Sequence, residues 1–178
     1  MTSNPFIVKV TRSALVLCMG PSIKELEDKI ESFKNLFAFW VTKTERAAFL
    51  KTNILDKIDE GFSLLFSEKC NTILVGTTPN ILITLLKMGF DKIFVFGFDG
   101  GPIGSYYRDN DEWPGLNLLD DTTKTNKHFM EWAEGLNAKE KIFNCSPESL
   151  ITCFNKISVD EAIIKLQAIG YEGEPHEF

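Results

Sequence analysis

Gly20, Pro21 and Ser22 stand between an apolar run, Ala14 to Met19, and the helix-like start Ile23-Lys-Glu-Leu. Glycine lets backbone N–H groups approach a ligand closely, and the serine adds a hydroxyl, so this turn suits a phosphate or a ribose. The same residues also make a tight strand-to-helix turn with a good cap and no ligand. Gly76-Thr77-Thr78-Pro79 repeats the arrangement after Thr72-Ile-Leu-Val, offering two hydroxyls where a cap needs one. Asp99 ends a third apolar run, Lys92 to Phe98, and suits a ribose hydroxyl or a divalent cation, or caps the Gly-Gly turn after it. Asn144 and Ser146 follow a fourth run, where they fit the edge of a base or a simple turn.

Three further residues carry chemistry without a fixed position. Tyr106 and Tyr107 lie in a stretch rich in glycine, proline and acids, and a tyrosine hydroxyl stabilises charge developing on a departing phosphate. Loop aromatics also anchor loops. His128 is the one histidine outside the tail, and imidazole titrates near neutrality, as a general base requires. A lone histidine at a helix start also serves as a cap or a surface residue. No Ser-His-Asp or Cys-His arrangement is present, and the turns match neither the three-glycine dinucleotide fingerprint nor the P-loop.

The elements that must hold these residues alternate. Strands are expected over Ala14 onward, Phe37–Val41, Phe62–Phe66, Thr72–Val75, Ile93–Phe98 and at Lys141 onward, with an edge strand over Phe6–Val10. Ile23, Leu26, Ile30 and Phe33 recur at helical spacing, and Ser22 with Glu25 and Ser158 with Glu161 have the spacing of capping boxes. Further helices are expected over Thr44–Asn53, Asn80–Met88, Thr125–Leu136, after Pro147, and from Ser158. Gly89 is placed to end the Asn80 helix. This alternation predicts an α/β fold, a Rossmann-like, mostly parallel sheet flanked by helices in a single domain. Residues 1–12 read as a lead-in, 13–169 as the domain with a lid-like loop at 100–121, and 170–178 as a mobile tail. In such a sheet the strand-to-helix turns and Asp99 meet at the carboxyl edge, the expected place for a phosphorylated ligand.

At 178 residues the chain buries a substantial core, and its net charge of −6 argues against a general nucleic-acid binder. No apolar run reaches membrane-spanning length, since Pro79, Lys87, Asp91 and Lys92 interrupt the longest candidate. The N-terminal residues lack a secretory pattern, and the four cysteines show no metal-ligand spacing, so a reducing cytoplasmic setting is expected. An oligomer is compatible with the sequence.

Gly-Pro-Ser-Ile-Lys-Glu, then Gly-Phe-Asp-Lys-Ile-Phe-Val-Phe-Gly-Phe-Asp, then Cys-Ser-Pro-Glu-Ser-Leu occur in this order between residues 14 and about 155. Together they resemble the bacterial sialyltransferases of glycosyltransferase family 42. They also resemble that family's relatives: the central domain of motility accessory factors, and the 6-hydroxymethylpterin pyrophosphokinase-like group, domain of unknown function 115. The resemblance implies that Gly20, Pro21 and Ser22, with Thr77 and Thr78, hold a CMP-activated sugar. It implies that Tyr107, from a lid, holds the leaving phosphate, and that His128 is the general base. Where that family has an asparagine before Gly-Pro-Ser, this chain has Met19, and at its first lid tyrosine this chain has Gly101. The stretch from Ser22 to Thr77 is also shorter here.

The expected activity is therefore a sialyltransferase-type glycosyltransferase with a nucleotide or nucleotide-sugar ligand and no required cofactor. Its catalytic residues would be His128 and Tyr107. Its ligand would be held by Gly20, Pro21, Ser22, Thr77, Thr78, Asp99, Tyr106, Asn144 and Ser146. The alternatives are a pyrophosphokinase using Mg2+ held by Asp99, Asp120 and Asp121, and a non-catalytic nucleotide-binding domain.

Overall fold

The computed structural model describes residues 13–18, 20–33, 39–43, 54, 63–66, 77–99, 131, 134 and 138–171. Among them six strands form one sheet: β1 (Ser13–Leu17), β2 (Phe39–Lys43), β3 (Ser63–Phe66), β4 (Lys92–Phe96), β5 (Ile142–Asn144) and β6 (Asn155–Lys156). Every pairing is parallel, and the order is β3-β2-β1-β4-β5-β6. This is the doubly wound, Rossmann-like order, in which the chain first builds outward from β1 and then returns to build on its other side. β1 is thus shared, with Leu15 opposite Trp40 on one flank and Phe94 on the other.

Central strands without polar alternation need cover on both faces, and the helices provide it. Alternate residues of β1 and β4 feed two separate cores. Leu15, Leu17, Phe94 and Phe96 pack with Ile23 and Leu26 of α1 (Ile23–Asp28), with Ile30 and Phe33 of the 3-10 turn Ile30–Phe33, and with Ala162 and Leu166 of α3 (Val159–Tyr171). Ala14, Val16, Ile93 and Val95 pack on the opposite face with Ile81, Leu82 and Leu85 of α2 (Thr77–Lys87). The helical spacing of Ile23, Leu26, Ile30 and Phe33 is therefore a buried stripe, each member at most 2% exposed. The outermost strand β6 is two exposed residues long, which blunts the sheet edge against pairing with another chain.

Several local expectations shift. α2 begins at Thr77 rather than Asn80, so Pro79 lies in its first turn, where a missing N–H is harmless. Gly89, with φ of +92°, closes that helix in the left-handed region. No helix follows Pro147. Ser149 N–H turns back to Ser146 O, but Leu150 N–H goes to Asp99 O and Ile151 N–H to the Ser149 hydroxyl, so helical bonding never propagates. α3 runs through Tyr171, two residues into the expected tail. The lead-in over 1–12, the Thr44–Asn53 helix, the Thr72–Val75 strand, the loop at 100–121 and the tail beyond 171 lie outside the described residues. So does most of the Thr125–Leu136 helix, of which residues 131 and 134 are helical. No helix among the described residues is long and apolar enough to cross a membrane.

The two capping boxes have opposite outcomes. At α3 the box forms: Ser158 N–H donates to Glu161 Oε2 at 2.7 Å and Glu161 N–H to Ser158 Oγ at 3.1 Å. The Ser158 backbone N–H, and secondarily its hydroxyl, hold the Glu161 carboxyl below its ordinary value of 4.5. A depressed folded-state value means stability that is fully present above pH 4.5 and is lost as pH falls through the lower folded value. The melting-temperature advantage of wild type over Glu161→Gln is therefore expected to shrink on acidification below pH 4.5. An advantage that stays constant with pH would refute a role for the charge. At α1 the box fails, for a reason that belongs to the site.

Candidate functional site

β1 and β4 are the neighbours at which the strand order reverses, and in sheets of this order ligands bind in the crevice beyond the carboxyl ends of such a pair. Gly20-Pro21-Ser22 follows β1 and Asp99 follows β4, so both lie at this switch point. The two strand ends are laced together: Cys18 N–H donates to Phe96 O and Gly20 N–H to Gly97 O, each at 2.8 Å. Such close approach needs glycine on both sides. A Cβ on Gly20 would overlap Asp99 Oδ2 and stand 2.5 Å from Gly97 O. Gly97 adopts φ of +69°, and a Cβ there would meet Cys18 O at 2.8 Å.

Ser22 takes the N-cap position of α1 in a helical conformation, φ −65° and ψ −12°, and its side chain caps no backbone N–H. A capping serine ordinarily has extended backbone, from which its oxygen reaches forward. The Ser22 N–H, which Glu25 would accept in a capping box, goes instead to Asp99 Oδ2 at 2.9 Å. The next N–H groups, of Ile23, Lys24 and Glu25, reach back to the carbonyls of Gly20, Pro21 and Ser22. Freed from capping, the Ser22 hydroxyl pairs with that of Ser146 at 2.7 Å. The turn therefore presents a half-buried carboxylate and a hydroxyl rather than a row of open N–H donors.

Asn144 and Ser146 are each 0% exposed, so their side chains serve the interior. Asn144 Nδ2 donates to Phe98 O at 3.1 Å and to Ser149 Oγ at 3.0 Å, while Asn144 Oδ1 is buried without a hydrogen-bond partner among the described residues. Thr78 is also buried, with its hydroxyl 3.3 Å from the Cys18 thiol, which ties the end of β1 to the start of α2. Thr77 is the first residue of α2. Tyr106, Tyr107 and His128, and with them the lid and base roles, lie outside the described residues, as do Asp120 and Asp121. Among the described residues no three of His, Cys, Asp and Glu gather as a metal site would require.

The described cysteines, Cys18, Cys145 and Cys153, are free and buried. Burial pushes the Cys145 thiol well above its ordinary value and that of Cys153 up to about 12, so both stay protonated and unreactive at neutral pH.

Sequence reading missed Gly97 and Ser149. Gly97 sits inside an apolar run and is visible only as a break in side-chain bulk. Ser149 lies in the Ser146-Pro-Glu-Ser149 segment, where it reads as part of a helix start. No protein-family model, curated protein or solved structure matches the chain.

Proposed function

We propose that this chain binds a CMP-activated sugar at the crevice between β1 and β4 and belongs functionally with the sialyltransferase-type glycosyltransferases. One observation carries the ligand reading: Asp99 is fixed at the sheet's switch point, its carboxylate bonded to Ser22 N–H at 2.9 Å. An acidic residue at such a crevice accepts hydrogen bonds from ribose hydroxyls. It also repels a phosphate, so the ribose faces Asp99 and the phosphate lies away from it, toward the start of α2 at Thr77 and Thr78. The identity of the base and sugar is taken from the sequence resemblance of Gly20-Pro21-Ser22, Phe98-Asp99 and Cys145-Ser146-Pro147.

In this reading the bond between the sugar's anomeric carbon and the CMP phosphate oxygen breaks as an acceptor oxygen attacks. His128 removes the acceptor's proton, and the Tyr107 hydroxyl donates to the departing phosphate, with Tyr106 beside it. No metal is required for that chemistry.

The test is a thermal-shift comparison of CMP, CMP-sialic acid, and ATP with Mg2+ on wild type and Asp99→Asn. A ligand at a hundred times its dissociation constant adds about 2.7 kcal/mol. For a chain of this size that is a rise of roughly 5–10 °C. CMP without metal is expected to produce it in wild type and to lose most of it in Asp99→Asn. Stabilisation by ATP with Mg2+ alone would replace this reading with phosphoryl transfer, and no stabilisation by any of them would end it.

A further inference from the structure

Ser149 is 2% exposed and its hydroxyl has every bonding position filled. It donates to Phe98 O at 2.6 Å, with Asp99 O 3.1 Å away as a second acceptor. It accepts from Asn144 Nδ2 and from Ile151 N–H, each at 3.0 Å. Phe98 O and Asp99 O belong to the two peptide groups on either side of the Asp99 α-carbon. Asp99 O also accepts Leu150 N–H at 2.7 Å, and Phe98 O accepts Asn144 Nδ2. At the other end of Ser149, Lys156 Nζ donates to its carbonyl at 2.5 Å. With both peptide planes held, the Asp99 carboxylate has side-chain rotation alone to move it, and the Ser22 N–H opposes that.

We propose that Ser149 is the positioning residue of the ligand site: its buried hydroxyl clamps the main chain on both sides of Asp99 and so aims the carboxylate at the crevice. This rests on the proposed contact between Asp99 and the ligand, but the clamp itself is testable without one. At 2% exposure Ser149 is too buried to reach a ligand itself, so removing its hydroxyl changes affinity only through the groups it holds, Asp99 foremost. A threonine, which keeps the hydroxyl, preserves the function.

The experiment uses the full chain with CMP as probe, comparing Ser149→Ala, Ser149→Thr and a control in the opposite core, Leu166→Ala. Losing the hydroxyl releases one bond from each of Phe98 O and Asp99 O and strands the buried Ile151 N–H, and a loss of 1.4 kcal/mol in binding is tenfold. Ser149→Ala is expected to raise the CMP dissociation constant about tenfold, with Ser149→Thr restoring most of it. Leu166→Ala, which loses more stability, is expected to leave CMP affinity within about twofold. Unchanged affinity in Ser149→Ala, or an equal loss in Leu166→Ala, overturns the proposal.

The second readout is amide hydrogen exchange of Ser22 relative to Val95 in β4. Ser149→Ala is expected to speed Ser22 selectively, whereas general destabilisation speeds both together. If wild type fails to bind CMP, the ligand reading falls and exchange decides the clamp alone. Ser22 and Val95 rising in step would then refute it. Ser149→Cys, similar in size with a weak donor, replaces Ser149→Ala with the same expectations if the alanine variant does not fold.

Discussion

Alanine at Gly20 is expected to destabilise the protein by about 1–3 kcal/mol, the range for forcing atoms into a filled site, and to lower its melting temperature by roughly 3–10 °C. The added methyl would overlap Asp99 Oδ2 and stand 2.5 Å from Gly97 O. The carboxylate is the movable party, but the Gly97 carbonyl is backbone, and Gly97 itself holds φ of +69° beside Cys18 with no room for a Cβ. Relief therefore requires parting β1 from β4, which breaks the Gly20 N–H bond to Gly97 O. It also turns Asp99 away from Ser22, so, under the proposed function, CMP binding is expected to fall further than stability. Gly89→Ala is the matched control. Gly89 has φ of +92° and no atom within 4 Å of an added Cβ, so it bears the left-handed strain of about 1–2 kcal/mol without a clash. Calorimetry and a CMP titration on both variants check this. Comparable effects of the two on affinity would show that the close approach at Gly20 is irrelevant to the site.

Phe33→Ala is expected to cost about 3–5 kcal/mol, a large share of the 5–15 kcal/mol that holds an ordinary domain together. Phe33 is 2% exposed and sits edge-on to both Trp40, at 6.0 Å between ring centres, and Phe96, at 5.8 Å. It joins the end of the first helical segment to β2 and β4 at once, so alanine leaves a cavity lined by rings that cannot collapse together without moving strands. Denaturant unfolding is the direct measurement. A loss under 1 kcal/mol would mean the aromatic cluster repacks freely.

The sheet was largely legible. Ile93-Phe-Val-Phe reads as a strand buried on both faces because no polar residue interrupts it, and the stripe from Ile23 to Phe33 reads as a covered helix. Strand order was not, since alternation dictates parallel strands without saying that β4 returns to lie beside β1. The site was legible as a place but not as a set of bonds. Ser22 and Glu25 have the spacing of a cap, yet a carboxylate 77 residues away displaces the local solution. Asp99 takes the Ser22 N–H that the Glu25 carboxylate would accept in a local box, and Glu25 pairs with Lys29 instead. Pro147-Glu-Ser likewise reads as a helix start until Asp99 O takes the Leu150 N–H that would have continued it. Both misreadings have one source: local patterns record what a segment can bond to itself, and the ends of β4 and β5 offered something better from outside. β6 was invisible because Asn155 and Lys156 are polar and only two.

The sheet's middle seam has a bearing on how the chain is made. Ser22 meets partners 77 and 124 residues downstream, so none of its long-range bonds exists while the first third of the chain is emerging from the ribosome. β2 follows β1 in the chain and β4 comes much later, so the β4 side of β1 presents unpaired backbone N–H and C=O groups until β4 is made. Parallel strands joined across long stretches fold slowly, and an unpaired edge of this kind invites other chains. The bonds that join Ser22 to Asp99 and Ser146 thus wait for the later strands, and premature termination before β4 would release a fragment with one side of β1 unpaired.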